Sequence, residues 1–169
     1  FLEQTDAGCI MVEEVAVMSL ITGAKEKNLK TAKAFSEVNF WEEKYSDLYG
    51  EKMTMEFPIA PPGWLMLLTP CEVKTHMAWL RRTVRSWEWT NVTVYSTNDP
   101  EFFILKRDGA GDVHWAGKDG RFESRFITML TIKDRKISHI KEFFSLRGIM
   151  AAIGFTDFPV QSFEDAPPL

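Results

Sequence analysis

Cysteine is scarce. The 169-residue chain holds two, Cys9 and Cys71, which allow at most one disulfide and form no metal-spaced pair, so two reduced thiols are the simpler expectation. Histidine is equally thin, at three residues. His76, His114 and His139 make no HxxxH or HxH pair, and no metal site is expected. Basic runs are missing too. The densest cluster is Arg81, Arg82 and Arg85, within a chain of net charge −4, which argues against a nucleic-acid partner. No apolar run suffices to span a bilayer. The longest candidate, 9–24, is interrupted by Glu13 and Glu14 and has no basic leader, so a cytoplasmic protein without a membrane partner is expected. There is no GxSxG, no catalytic-cysteine signature, no glycine-rich fingerprint after a strand and no βαβ alternation. Serine and cysteine hydrolases, Rossmann folds and P-loop folds are excluded on those grounds. Acid–base chemistry remains, without a covalent step and without a cofactor.

Rings are what the chain has in excess. Aromatic residues make up 13% of it, as 13 Phe, 6 Trp and 3 Tyr, with 8 Met beside them. Rings and thioethers fill cores, and they also line pockets for flat apolar ligands. The length fits one main domain, expected over 28–153, with an N-terminal helical extension over 1–27 and a proline-containing tail over 154–169.

The first half reads as helical. Met11, Val15, Met18 and Ile21 recur at helical spacing and predict a helix ending at Gly23. Leu29, Ala32, Phe35 and Val38 predict a second helix over 28–41, and 42–48 a short helical turn. Met53, Met55 and Phe57 alternate as a strand, Pro58 to Gly63 reads as a loop, and 64–68 as a second extended piece. Thr69 is placed to cap a helix with Pro70 at its first position and Glu72 in its first turn. Strands are predicted over 87–97, 101–107, 121–132 and 136–144, with an open glycine-rich loop or hairpin tip over 108–120 and a short helix over 146–153. Helices followed by antiparallel strands give an α+β class.

The last strand carries the clearest chemical signal. Strand alternation puts Glu142 on one face with Ile140 and Phe144, and His139, Lys141 and Phe143 on the other. A carboxylate on an apolar face is either an ion-paired or surface residue or a proton-transfer group whose pKa is raised by poor solvation. His76 lies mid-helix near Val73, Trp79, Leu80 and Thr83. It is either a satisfied core histidine or a second proton-transfer group.

The segment Trp87-Glu88-Trp89-Thr90-Asn91-Val92, with Asn98-Asp99-Pro100 and Phe102-Phe103 after it, resembles the phenazine-biosynthesis A/B proteins. Lys141-Glu142-Phe143 matches their [RK]-E-F element. Glu56-Phe57-Pro58 with Ala60-Pro61-Pro62-Gly63 is similar to a stretch of the broader SnoaL-like proteins. The resemblance covers roughly 28–153. It implies a conical nuclear-transport-factor-2-like barrel with helices packed on a curved antiparallel sheet, a homodimer through the outer sheet face, a deep hydrophobic pocket and no cofactor. It also implies proton transfer by Glu142 and His76 on a ketone-type substrate. Leu80, Thr128 and Arg125 depart from the family pattern, as does Ser145-Leu146. Those departures imply a more apolar pocket for another cyclic or aromatic substrate, handled by a lyase, isomerase or cyclase reaction. The expected substrate contacts are Trp64, Trp79, Leu80, Trp89, Phe103, Trp115, Phe126, Thr128, Ile140 and Phe144. Arg125 is an expected enolate or phenolate stabiliser, although strand parity sets it opposite Phe126 and Thr128. A ligand-binding or dimerising module without catalysis is the alternative.

Overall fold

The computed structural model describes residues 7–39, 42–59, 67–115, 117–152 and 154, with side chains for all of these except 7–21, 43–45, 146 and 150. Trp41, Trp64, the 60–63 part of the proline-rich loop and the 155–169 tail lie outside them. The elements run α1 (Ala7–Ser36), a 3-10 helix (Glu43–Leu48), β1 (Tyr49–Glu56), β2 (Leu67–Leu68), α2 (Pro70–Thr83), β3 (Glu88–Ser96), β4 (Phe102–Trp115), β5 (Lys118–Lys133), β6 (Lys136–Phe143) and α3 (Leu146–Ala152).

The α2 start follows from its first four residues. The Thr69 hydroxyl accepts from the Glu72 backbone N–H, and the Glu72 carboxylate accepts from the Thr69 N–H at 2.7 Å. This reciprocal capping box satisfies two donors that a helix otherwise leaves orphaned. Gly23 does not behave as a stop. One unbroken helix replaces the two expected, because a single helical glycine costs only about 1 kcal/mol relative to alanine and tertiary bonds hold the residues that follow. The Asn28 amide donates to the carbonyls of Pro100 and Ile132 and accepts from the Arg135 N–H, and the Thr31 hydroxyl donates to the Arg135 carbonyl. These bonds pin α1 onto the β3–β4 and β5–β6 turns. The second turn is strained, with Asp134 and Arg135 at φ 49° and 65°, and the two α1 side chains satisfy both backbone groups of Arg135.

The sheet order is β2-β1-β6-β5-β4-β3, with β1 and β6 parallel and every other neighbour antiparallel. The α+β expectation is met by a curved sheet that does not close, β2 and β3 forming its edges. The inner face holds the main core: Met53, Met55, Phe103, Leu105, Leu130, Ile132 and Ile140 beneath Ala32 and Phe35 of α1 and Val73 and Met77 of α2.

Of the two readings of 108–120, the open loop is corrected and the hairpin tip holds, since β4 and β5 pair up to Trp115 and Lys118. Strand β4 continues to Trp115, and Gly109 and Gly111 are interior strand positions. Trp89 lies directly opposite Gly109 in the ladder. A Cβ on Gly109 would come within 2.6 Å of the Trp87 and Trp89 rings, and one on Gly111 within 2.0 Å of the Ser86 carbonyl oxygen. Those glycines are slots for close approach, the usual meaning of glycine inside a strand.

Candidate active site

Alternation along β4, β5 and β6 aims Arg107, Thr128 and Glu142 inward among apolar neighbours. Thr128 is paired with Glu142 across β5 and β6, and with Leu105 across β4 and β5. All three side chains are buried, and Arg107 is among the largest wholly buried groups of the described residues. The Thr128 hydroxyl donates to Glu142 Oε1 at 2.9 Å, and Arg107 Nη2 reaches the same oxygen at 3.5 Å. Neither donor engages Oε2. Arg107 Nη1 donates to the Phe35 carbonyl at 3.4 Å. The guanidinium carbon lies 3.6 Å from the centre of the Trp89 ring and 5.0 Å from that of Phe35, two cation–π contacts that hold the group in place. Arg107 Nε and Trp89 Nε1 are buried donors with no acceptor among the described residues.

Burial raises the Glu142 carboxyl above the usual carboxylate range, while the Arg107 charge and the Thr128 and Arg107 hydrogen bonds pull it back. Burial lowers Arg107 to about 10, with Glu142 opposing, so Arg107 stays charged at neutral pH. Tyr49 of β1 feels both charges, and burial raises its phenol so that it stays neutral.

Rings lead away from this pair. Trp89 meets Phe126 at 5.0 Å between centroids, Phe126 meets Phe144 at 5.6 Å, and Phe144 meets Phe57 at 6.1 Å. Phe57 meets His76 at 5.2 Å. His76 stacks on Trp79, which meets Trp115 edge-on at 5.1 Å. Burial pushes His76 down to about 4, so its imidazole is neutral at pH 7. His76 and Glu142 share no ion pair or hydrogen bond among the described residues; a path of aromatic contacts connects them.

The structure sorts the expected site residues into groups. Glu142, Thr128 and Trp89 meet around Arg107. His76, Trp79, Trp115, Phe126 and Phe144 form the ring path. Phe103 and Ile140 are wholly buried in the aliphatic core, and Leu80 packs against that core. Trp64 lies outside the described residues. Arg125 requires a correction. Its side chain is 64% exposed on the outer face and donates to Asp108 Oδ1 at 2.9 Å, because β5 parity turns it away from Phe126 and Thr128. The arginine on the inner face is Arg107, which the sequence reading did not single out. The alternation Phe103, Leu105, Arg107 carried the signal, since all three share one side of β4. Phe57 and Tyr49 were also missed as neighbours of this region.

Residues 62–162 match the family described as phenazine biosynthesis protein A/B. The chain is 31% identical over 72 residues to phenazine biosynthesis protein PhzB1 of Pseudomonas aeruginosa, covering 42% of this chain and 44% of that protein. It spans about half the length of the curated relatives it matches first. In fold it is similar to the crystal structure of the phenazine biosynthesis-related protein phzb2 of Pseudomonas aeruginosa, with a TM-score of 0.77 at 21% identity over 89% of this chain and 99% of that one. A SnoaL-like polyketide cyclase candidate from Jannaschia sp. CCS1 superimposes with a TM-score of 0.55 at 15% identity, over 85% and 94% of the two chains. More than half of the sequence lies within the family match, and the chain belongs to the phenazine biosynthesis protein A/B family.

Proposed function

We propose that this chain is a cofactor-independent enzyme that transfers a proton on a cyclic or aromatic carbonyl compound, with Glu142 as the general base. The observation that carries the reading is a buried carboxylate with one oxygen, Oε1, taken by two donors and the other engaged by neither. Placing a carboxyl in an apolar site costs stability unless it is paired, and the same poor solvation strengthens it as a base near neutral pH. Neutral His76 would donate a hydrogen bond to the carbonyl oxygen as negative charge develops there. The ring path from Trp89 to Trp115 supports a flat, largely apolar substrate. Proton removal next to a carbonyl begins lyase, isomerase and cyclase reactions alike, and names such as polyketide cyclase for structural neighbours support that range.

The test is hydrogen–deuterium exchange into a panel of cyclic ketones in D2O, followed by proton NMR. The wild type is expected to exchange at least one of them. Glu142→Gln should fold and lower the exchange rate roughly 10²–10⁴-fold, the range of general-base catalysis. Equal exchange in the variant removes Glu142 from the chemistry, and no exchange by the wild type on any ketone favours a ligand-binding module. The reading also includes a homodimer through the outer sheet face, where exposed Ile127 lies opposite Phe143.

A further inference from the structure

A buried arginine needs a reason. Replacing a buried ion pair by apolar groups of similar volume is often neutral or stabilising, so packing alone does not explain Arg107 at the centre of an aliphatic and aromatic core. Its link to Glu142, at 3.5 Å, is at the weak limit of a hydrogen bond. What is strong is the way the guanidinium is held. Trp89 covers the group at 3.6 Å, Phe35 contacts it at 5.0 Å, and the Phe35 carbonyl accepts from Nη1. Gly109 leaves the room that Trp89 needs to lie there. The sequence has built a fixed positive charge beside a carboxylate, and Thr128 selects the oxygen that faces it.

We propose that Arg107 is the positioning residue of this site, holding Glu142 as an oriented carboxylate with Oε1 anchored and Oε2 left to take the proton. The inference rests on the reading of Glu142 as the base. It assigns Trp89 and Phe35 the task of keeping the guanidinium from swinging away, and Thr128 the task of fixing the carboxylate plane. Burial works against the ionised carboxyl, and the Arg107 charge counters it. Among the described residues, the other charged or titratable groups that act here are Tyr49 from β1, which stays neutral, and Arg81 of α2, which acts on Tyr49.

The test needs no substrate. Protein labelled with ¹³C at the glutamate side-chain carboxyl is titrated by NMR, and the Glu142 resonance is assigned by its loss in Glu142→Gln. In the wild type Glu142 should be ionised at pH 7.5. In Arg107→Met its midpoint should rise by about one to three pH units, the usual effect of losing an adjacent opposite charge. Arg107→Lys should restore the ionised state at pH 7.5. A midpoint that is the same in Arg107→Met and wild type overturns the proposal, as does a wild-type Glu142 already protonated at pH 7.5. If circular dichroism shows that Arg107→Met does not fold, the wild-type and Arg107→Lys titrations still decide it: both ionised at pH 7.5 supports the proposal, and either protonated overturns it. Ketone exchange is read separately. Exchange retained in Glu142→Gln removes the base, whereas an unmoved titration removes only the role of Arg107.

Discussion

Two arginine–carboxylate pairs sit one residue apart on β4 and face opposite sides of the sheet. Inside, Arg107 meets Glu142 at 3.5 Å with side chains 0% and 3% exposed. Outside, Arg125 meets Asp108 at 2.9 Å with side chains 64% and 29% exposed. By distance alone the outer pair is the better bond, but solvent reverses the order. Water and salt screen the outer charges, and each outer partner is well solvated without the other. The inner partners have given up their hydration, so each depends on the other for compensation. The proton positions follow the same division. Hydrogen bonds from Arg125 and Asn91 hold Asp108 below the usual carboxylate range, whereas burial holds Glu142 above it despite Arg107 and Thr128. The sheet thus carries a carboxyl held low by its hydrogen bonds on the outer face and one raised by burial on the inner face.

The comparison breaks most directly at Arg107. Arg107→Met should cost about 3–5 kcal/mol in urea unfolding at pH 8, the usual penalty for leaving a buried charge without its partner. Adding Glu142→Leu to it should recover a large part of that loss, because the double variant leaves no charge behind. A single-variant cost under 1 kcal/mol would place the inner pair in the same class as the outer one.

His76 sharpens the comparison from the other end of the ring path. It is largely buried with no carboxylate partner among the described residues, and burial lowers it to about 4 from an ordinary 6.5. The folded state therefore disfavours the protonated ring. Stability from this source is complete above pH 6.5 and is lost as the pH falls from 6.5 through 4. The shift corresponds to roughly 3 kcal/mol at most. A His76→Phe variant should lack this component. Between pH 6.5 and 4 its urea midpoint should fall less than that of the wild type. Parallel midpoint curves would mean that the imidazole is better solvated than its contacts with Phe57 and Trp79 indicate.

How much of this was legible in the sequence depends on how local each signal is. The α2 cap was, because Thr69, Pro70 and Glu72 make their bonds within four residues. The inward face of β6 was, because alternation around Glu142 needs no partner strand. Arg107 was not. Glycines at 109 and 111 look like a loop until the Trp87 and Trp89 rings are known to lie over them, and without a continuous β4 no parity places Arg107 inside. The length of α1 was hidden for a related reason: the bonds that carry the helix past Gly23 reach residues about 70 to 107 positions away. Arg125, a departure from the family pattern, could stabilise an enolate only by sharing a face with the pocket, and strand parity sets it opposite Phe126 and Thr128.

The smallest effect is expected at Arg125, and it tests the comparison most sharply because the bond removed is the shorter one. Arg125→Ala takes away the 2.9 Å contact with Asp108. Asp108 keeps the Asn91 amide as a donor at 2.9 Å and keeps its solvent, so no group is left buried and unsatisfied. The urea midpoint at moderate salt should match that of the wild type, and ketone exchange should be unchanged, since the side chain lies across the sheet from Glu142. A slight loss that appears only at low ionic strength fits a screened surface pair. A loss comparable to that of Arg107→Met would mean that the outer face is covered in solution. The site of that cover would then be the same face on which Ile127 is exposed opposite Phe143, and light scattering of the wild type and of Arg125→Ala would show whether a second copy supplies it.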